Sequence, residues 1–245
     1  MSDTTHIEHF SSDGYLVIPS ALDRTEVAAL NEAIDRDREQ NPRLWQDRRG
    51  GRFQSVSILL DEPVFDASIT HPSTRPIIRE LMGDDLCFEE HSVMIREPIP
   101  DSPPDPHWHR DIAHGSDPPL FLRNLSLVYY LTDVDESTHC FSIVPESVEA
   151  KKASPDHRDG TSAKDLHGPA GTAILFNAAN VHDARQRTTT SERRTIHIYF
   201  GHLDMPPLSN HTIFPERLLT SPDPDVRALF DRPNEITARV ARSFS

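Results

Sequence analysis

The residues of this chain best suited to chemistry are His109-Arg110-Asp111, followed much later by His182 and then by Arg193. In an extended strand, residues i and i+2 point to one face. His109 and Asp111 would then aim an imidazole and a carboxylate into one space, with Arg110 turned away. A second histidine, delivered by a distant strand, would complete a two-histidine, one-carboxylate facial triad. Such a triad suits non-haem Fe(II), because it leaves coordination positions open for a cosubstrate and for O2.

Each element is weak by itself. The chain has 14 histidines, and a lone strand histidine is ordinarily a hydrogen-bonded core or surface residue. His-Arg-Asp also begins the catalytic loop of protein kinases. That reading fails here: the asparagine expected five residues after the aspartate is Ser116, and neither a glycine-rich phosphate loop nor Asp-Phe-Gly occurs.

The elements that must position these residues are mostly strands. Positions 14–19 read as a short strand stopped by Pro19, and Leu22-Asp23 leads into a helix to about 39, with Val27, Leu30 and Ile34 at helical spacing. A second helix is expected over 73–82, ending at Gly83. From about 86 onward the pattern changes. Leu125, Leu127, Tyr129 and Leu131 alternate with Ser126, Val128 and Tyr130, which predicts an amphipathic strand. Further strands are expected over 140–144, 172–176 and 194–200. Several short strands with few helices between them predict a mostly antiparallel β barrel or sandwich, with helices packed on one side. The 21 prolines cluster at about 97–119 and 206–233, which reads as long loops and an irregular C-terminal region.

At 245 residues, with 36% hydrophobic content, the chain fits a single large domain. A net charge of −14, from 39 acidic and 25 basic residues, argues against nucleic acid as a partner. Cys87 and Cys140 make no disulfide framework. No basic start or apolar run opens the chain, and no stretch approaches the roughly 18 apolar residues of a membrane span. A cytoplasmic protein is expected.

Taken together, the motifs resemble the phytanoyl-CoA dioxygenase family of Fe(II)/2-oxoglutarate oxygenases, from Phe10 to about Phe200. Phe10-Ser11-Ser12-Asp13-Gly14-Tyr15-Leu16-Val17-Ile18-Pro19, followed by Leu22-Asp23, is similar to that family's N-terminal signature. Pro106-His107-Trp108-His109-Arg110-Asp111 resembles its proximal metal motif. Leu131-Thr132-Asp133-Val134-Asp135-Glu136 and Val144-Pro145-Glu146-Ser147 resemble its central strand pair and following turn. His182, with Arg193 eleven residues later, matches its distal histidine and cosubstrate arginine.

The resemblance implies a double-stranded β-helix, the jelly-roll or cupin-like barrel, with an N-terminal helical support over about 1–85, a barrel core over about 86–203 and an irregular segment over about 204–245. It also implies that His109, Asp111 and His182 hold Fe(II), and that Arg193 pairs with the distal carboxylate of 2-oxoglutarate. A guanidinium suits that task, presenting a planar fork of donors whose charge does not titrate away. If Arg193 points inward, so do Thr195, His197 and Tyr199, while Ile196, Ile198 and Phe200 need an apolar cover. Thr195 is then a second candidate contact to the cosubstrate. In related halogenases the carboxylate position is a small residue, so Asp111 favours hydroxylation of a small organic molecule, with O2 consumed and succinate and CO2 released.

The chain departs from the family pattern at Glu146 and Val148, where glycine and histidine are usual, at Thr138-His139, and at Pro106. None of these touches the four core positions. Candidate substrate contacts are His107, Arg96, His114 and Arg123, with His139 near the pocket mouth. The competing reading is a noncatalytic metal-binding barrel that serves as a binding or sensing module. A cupin-like metalloenzyme without 2-oxoglutarate is the third, and it would not require a buried cation at Arg193.

Overall fold

The computed structural model describes residues 6–48, 51–112, 122–147 and 160–243. Among them ten strands run in chain order: β1 (Tyr15–Ile18), β2 (Gln46–Arg48), β3 (Arg52–Ser55), β4 (Leu86–Arg96), β5 (Leu125–Tyr130), β6 (Cys140–Ile143), β7 (Lys164–Leu166), β8 (Ala173–Asn177), β9 (His182–Arg185) and β10 (Arg193–His202). Seven form one antiparallel sheet in the order β1-β8-β5-β10-β4-β3-β2, and three form another in the order β7-β6-β9. The sheets face each other: Val128, Tyr130, Ile174 and Phe176 from the larger share one core with Cys140, Phe141, Ile143 and Leu166 from the smaller. This is the jelly-roll arrangement.

The other face of the large sheet is apolar and covered by helices. Four helices precede β4: α1 (His6–Asp13), α2 (Arg24–Gln40), α3 (Asp66–Ile69) and α4 (Arg75–Met82). Leu30 and Ile34 of α2 and Ile78 of α4 pack in one cluster with Leu127, Tyr129, Ile196, Ile198 and Phe200 of the sheet. Each such side chain contributes roughly 1.5–3 kcal/mol on burial. The start of α2 is fixed by a capping box. The Asp23 carboxylate accepts from the Thr25 and Glu26 amides at 2.7 and 2.9 Å, and the Glu26 carboxylate accepts from the Asp23 amide at 2.7 Å.

Three features differ from the sequence expectation. Beside the expected strand β1, the segment read as helical support adds β2 and β3 to the large sheet, because this hairpin (Gln-Asp-Arg and Arg-Phe-Gln-Ser) carries no alternating apolar pattern to betray it. The β5 strand, expected to be amphipathic, is buried on both faces, since its second face looks onto the small sheet rather than onto water. The C-terminal region read as irregular holds three short helices, α5 (Glu216–Leu219), α6 (Pro224–Leu229) and α7 (Glu235–Ser243). Phe214 packs edge-on against Phe88 of β4 and Phe230 packs against it at a tilt, at centroid distances of 5.1 and 4.8 Å. Among the described residues no helix is long and apolar enough to cross a membrane.

Gly14 ties the N-terminal strand to the rest. It adopts φ +73°, and a Cβ there would run into the side-chain amide of Asn180, which itself donates to the carbonyls of Asp13 at 3.1 Å and Val144 at 3.2 Å. Gly14→Ala is therefore expected to cost roughly 1–3 kcal/mol in urea unfolding. An unchanged midpoint would show that the contact with Asn180 yields freely.

Candidate active site

His109 lies outside the named strands and makes an isolated antiparallel bridge with His182 at the start of β9. The His109 amide donates to the His182 carbonyl at 3.1 Å, and the His182 amide returns the bond at 2.9 Å. This reciprocal pairing brings the two rings to a centroid separation of 4.4 Å. Two residues on, the Asp111 amide donates to the Ala178 carbonyl at 3.0 Å, which turns the carboxylate toward the rings. Its two oxygens lie 3.7 Å from Nε2 of His109 and 3.7 Å from Nε2 of His182.

The tautomers follow from the backbone. Nδ1 of His109 lies 2.9 Å from the His107 carbonyl, and Nδ1 of His182 lies 2.9 Å from the Asn180 carbonyl. A carbonyl can only accept, so both Nδ1 atoms carry the hydrogen and both Nε2 atoms offer lone pairs toward Asp111. Burial holds the His182 imidazole below its ordinary pKa, with Asp111 opposing the shift, and this favours the neutral, ligating form. Oδ2 of Asp111 is buried without a hydrogen-bond partner. Two lone pairs and an unsatisfied carboxylate oxygen form a donor set that fits a divalent metal ion, and outer hydrogen bonds to the imidazoles orient such ligands.

A second group of metal-capable side chains, Cys140, Asp165 and His167, also converges. It fits a metal less well. Asp165 is already taken by Ser142 at 2.5 Å, by Arg185 at 3.2 Å and by Arg187, and burial raises the Cys140 pKa, keeping the thiol protonated.

Arg193 opens β10 and is 5% exposed, with Nε and Nη1 buried and unpartnered. Across the sheet it faces Arg96 of β4, which in turn faces Arg52 of β3. Three guanidinium groups in adjacent cross-strand positions repel one another. Burial, then Arg193 and Arg52, draw the Arg96 pKa down to about 10. Arg96 donates to Gln186 at 3.1 Å. The side chains that follow on this face of β10 are also buried: Thr195 Oγ1 lies 3.0 Å from Nε2 of His197, and burial together with Arg193 pushes His197 down to about 3. Tyr199 reaches the Asp111 carboxylate, and burial, followed by Asp111 and Glu90, raises its phenol pKa. Asp111 and Tyr199 open into a cavity of about 590 Å³.

The remaining candidates are dispersed. His107 stacks on His109 at 5.8 Å, at the exposed edge of the site. Arg123 sits within electrostatic reach of Glu89, which lines a separate recess with Arg232. His139 has both nitrogens committed to backbone, Nε2 to the Glu97 carbonyl at 2.9 Å and Nδ1 to the Arg187 amide at 3.0 Å. His114 lies outside the described residues. Nothing in the sequence marks Arg52 as a site residue, because its hairpin lacks a hydrophobic period.

Glu146, noted as a departure from the family turn, has a structural partner. Arg110, turned away from the site, grips the Glu146 carboxylate with both Nη atoms at 2.6 and 2.7 Å, and Glu146 also accepts from the Val181 amide at 2.8 Å. The pair is largely buried, with side-chain exposures of 5% and 17%, and it clamps the His109–Asp111 segment to the residues just before His182. Removing one partner of such a pair leaves the other charge stranded. Glu146→Ala is expected to cost about 3 kcal/mol of stability and to weaken Fe(II) binding, with Arg110→Met in the same chain recovering part of the stability. Unchanged unfolding and metal affinity in Glu146→Ala would contradict the clamp.

Comparison with known proteins identifies the family of the chain. The family model for phytanoyl-CoA dioxygenase matches residues 10–195. An ectoine dioxygenase of Stutzerimonas stutzeri (strain A1501) is 24% identical over 232 residues, covering 81% of this chain and 76% of that protein. An L-proline trans-4-hydroxylase of Streptomyces griseoviridis is 22% identical, covering 86% and 90%. The fold is similar to that of HygX from Streptomyces hygroscopicus with nickel and 2-oxoglutarate bound, at a TM-score of 0.67 and 17% identity over 84% of this chain and 89% of that one. The chain belongs to the phytanoyl-CoA dioxygenase family of Fe(II)- and 2-oxoglutarate-dependent oxygenases.

Proposed function

We propose that this enzyme hydroxylates a C–H bond of a small organic molecule, with His109, Asp111 and His182 holding Fe(II) and Arg193 anchoring 2-oxoglutarate. The observation that carries the reading is the convergence of two Nε2 lone pairs on a partly unsatisfied Asp111 carboxylate, with a buried guanidinium at Arg193 whose Nε and Nη1 have no hydrogen-bond partner among the described residues. With cosubstrate and O2, bound iron supplies the oxidising power that cleaves the C–H bond while 2-oxoglutarate is converted to succinate and CO2.

The chain's own residues hold and orient. The Nδ1 hydrogen bonds to the His107 and Asn180 carbonyls keep both imidazoles in the ligating tautomer. Arg193 offers a fixed fork to the distal carboxylate of the cosubstrate in a site from which water is largely excluded. Thr195, next inward on the same strand, is a second contact to that carboxylate, and His197 holds its hydroxyl in place. The cavity at Asp111 receives the substrate, and its volume of about 590 Å³ suits a small molecule. Arg96 and His107 border the site; Arg123, beside Glu89, takes no part in this assignment. A complete set of four positions argues against a noncatalytic barrel. With a carboxylate at 111, halide has no vacated ligand position, so hydroxylation is favoured over halogenation.

The curated relatives act, by their names, on ectoine and on L-proline, both small polar molecules. A net charge of −14 keeps nucleic acid an unsuitable partner, and the cytoplasm, which supplies 2-oxoglutarate and reduced iron, is the compartment this reading assigns. Anaerobic addition of Fe(II) and 2-oxoglutarate is expected to give a visible metal-to-cosubstrate charge-transfer band that His182→Ala and Asp111→Ala abolish. A band surviving both changes would refute the ligand set. Arg193→Ala is expected to weaken 2-oxoglutarate at least 30-fold, a loss of about 2 kcal/mol, and Fe(II) far less. Equal weakening of both would remove Arg193 from the cosubstrate role.

A further inference from the structure

Asp183 follows His182 on β9 and lies opposite Ser142 of β6. Its side chain is buried, and Oδ2 accepts from the His107 amide at 3.1 Å. That hydrogen bond ties β9 to the segment carrying His109, which gives the side chain a structural task. It does not explain the charge. An asparagine would accept from the same amide, and burying an ion costs more than burying an amide.

The surroundings of Asp183 do explain it. Arg52, Arg96 and Arg193 stand side by side on β3, β4 and β10, with Arg96 directly opposite each of the other two in the sheet register. Arg96 and Arg193 are buried, and Arg52 is half-buried. Among the described residues, the carboxylate within electrostatic reach of all three is that of Asp183. It also acts on His182, where it favours positive charge. Two ligands of opposite sign therefore feel the same side chain. The two imidazoles and Asp111 receive a divalent cation, and the row of guanidinium groups receives a dianion. A buried negative charge attracts the first and repels the second.

We propose that Asp183 sets the balance between metal and cosubstrate, its charge tightening Fe(II) and loosening 2-oxoglutarate. It acts on both through its field, not as a ligand to either. The proposal rests on the oxygenase reading above and adds a residue which that reading leaves out. The consequence for turnover is release. Succinate is also a dianion, and three guanidinium groups without an opposing carboxylate would retain it after each cycle.

The test is anaerobic calorimetry on the full chain. Fe(II) is titrated into metal-free protein, and 2-oxoglutarate or succinate into Fe(II)-loaded protein. Asp183→Asn keeps an acceptor for the His107 amide and removes the charge. It is expected to bind Fe(II) roughly 3- to 10-fold more weakly and both dianions more tightly by a similar factor, the scale of one charge acting across a partly polar site. Arg52→Gln, at the far end of the row from Arg193, is expected to weaken both dianions while Fe(II) binds at least as tightly. Opposite signs for metal and dianion are the signature, because loosened packing would weaken all three ligands together. An Asp183→Asn chain whose Fe(II) affinity is unchanged, or whose dianions bind no tighter, overturns the proposal. Should that variant fail to fold, Arg52→Gln decides alone, and unchanged dianion affinities overturn it. With the charge-transfer band present in the parent protein, either failure leaves the oxygenase reading intact; a parent that binds no 2-oxoglutarate overturns both.

Discussion

Two backbone hydrogen bonds between His109 and His182 hold the account together. They join a loop segment to the first residue of β9 across more than seventy positions of chain, and they do so through atoms that every residue carries. The side chains then fall into place with little freedom, because each imidazole is pinned through Nδ1 to a carbonyl two residues before it. The Arg110–Glu146 pair fastens the same two segments from behind. Metal affinity in such a site depends on how little the ligands must be ordered on binding, and here the ordering is done by main chain and by a clamp that never touches the metal.

The large sheet divides its labour by face. On β10, Ile196, Ile198 and Phe200 join the helices in the main core, while Arg193, Thr195, His197 and Tyr199 line the interior between the sheets. The apolar face supplies stability; the other holds the Arg193 guanidinium, whose Nε and Nη1 have no hydrogen-bond partner among the described residues, and a histidine kept neutral by burial. That polar interior is an expense the covered face must offset.

Much of this was legible in the sequence where a period or a motif carries it. The phase of β10 follows from strict alternation after Arg193, and the start of α2 follows from Asp23 and Glu26, which form the capping box. His109, Asp111 and His182 stood out by type and spacing, although His109 turned out to occupy a single bridge rather than a continuous strand. What was hidden depends on partners distant in sequence. The β2–β3 hairpin is polar because one face looks into the cavity, so no hydrophobic alternation marks it, and Arg52 was invisible as a site residue. Glu146 was visible only as an oddity, since nothing in a linear chain joins it to Arg110.

The most direct test of the central claim is anomalous diffraction at the iron absorption edge from crystals grown anaerobically with Fe(II). A single strong peak bounded by Nε2 of His109, Nε2 of His182 and the Asp111 carboxylate is the predicted result. A peak at Cys140, Asp165 and His167 instead, or none within reach of the two imidazoles, would contradict it.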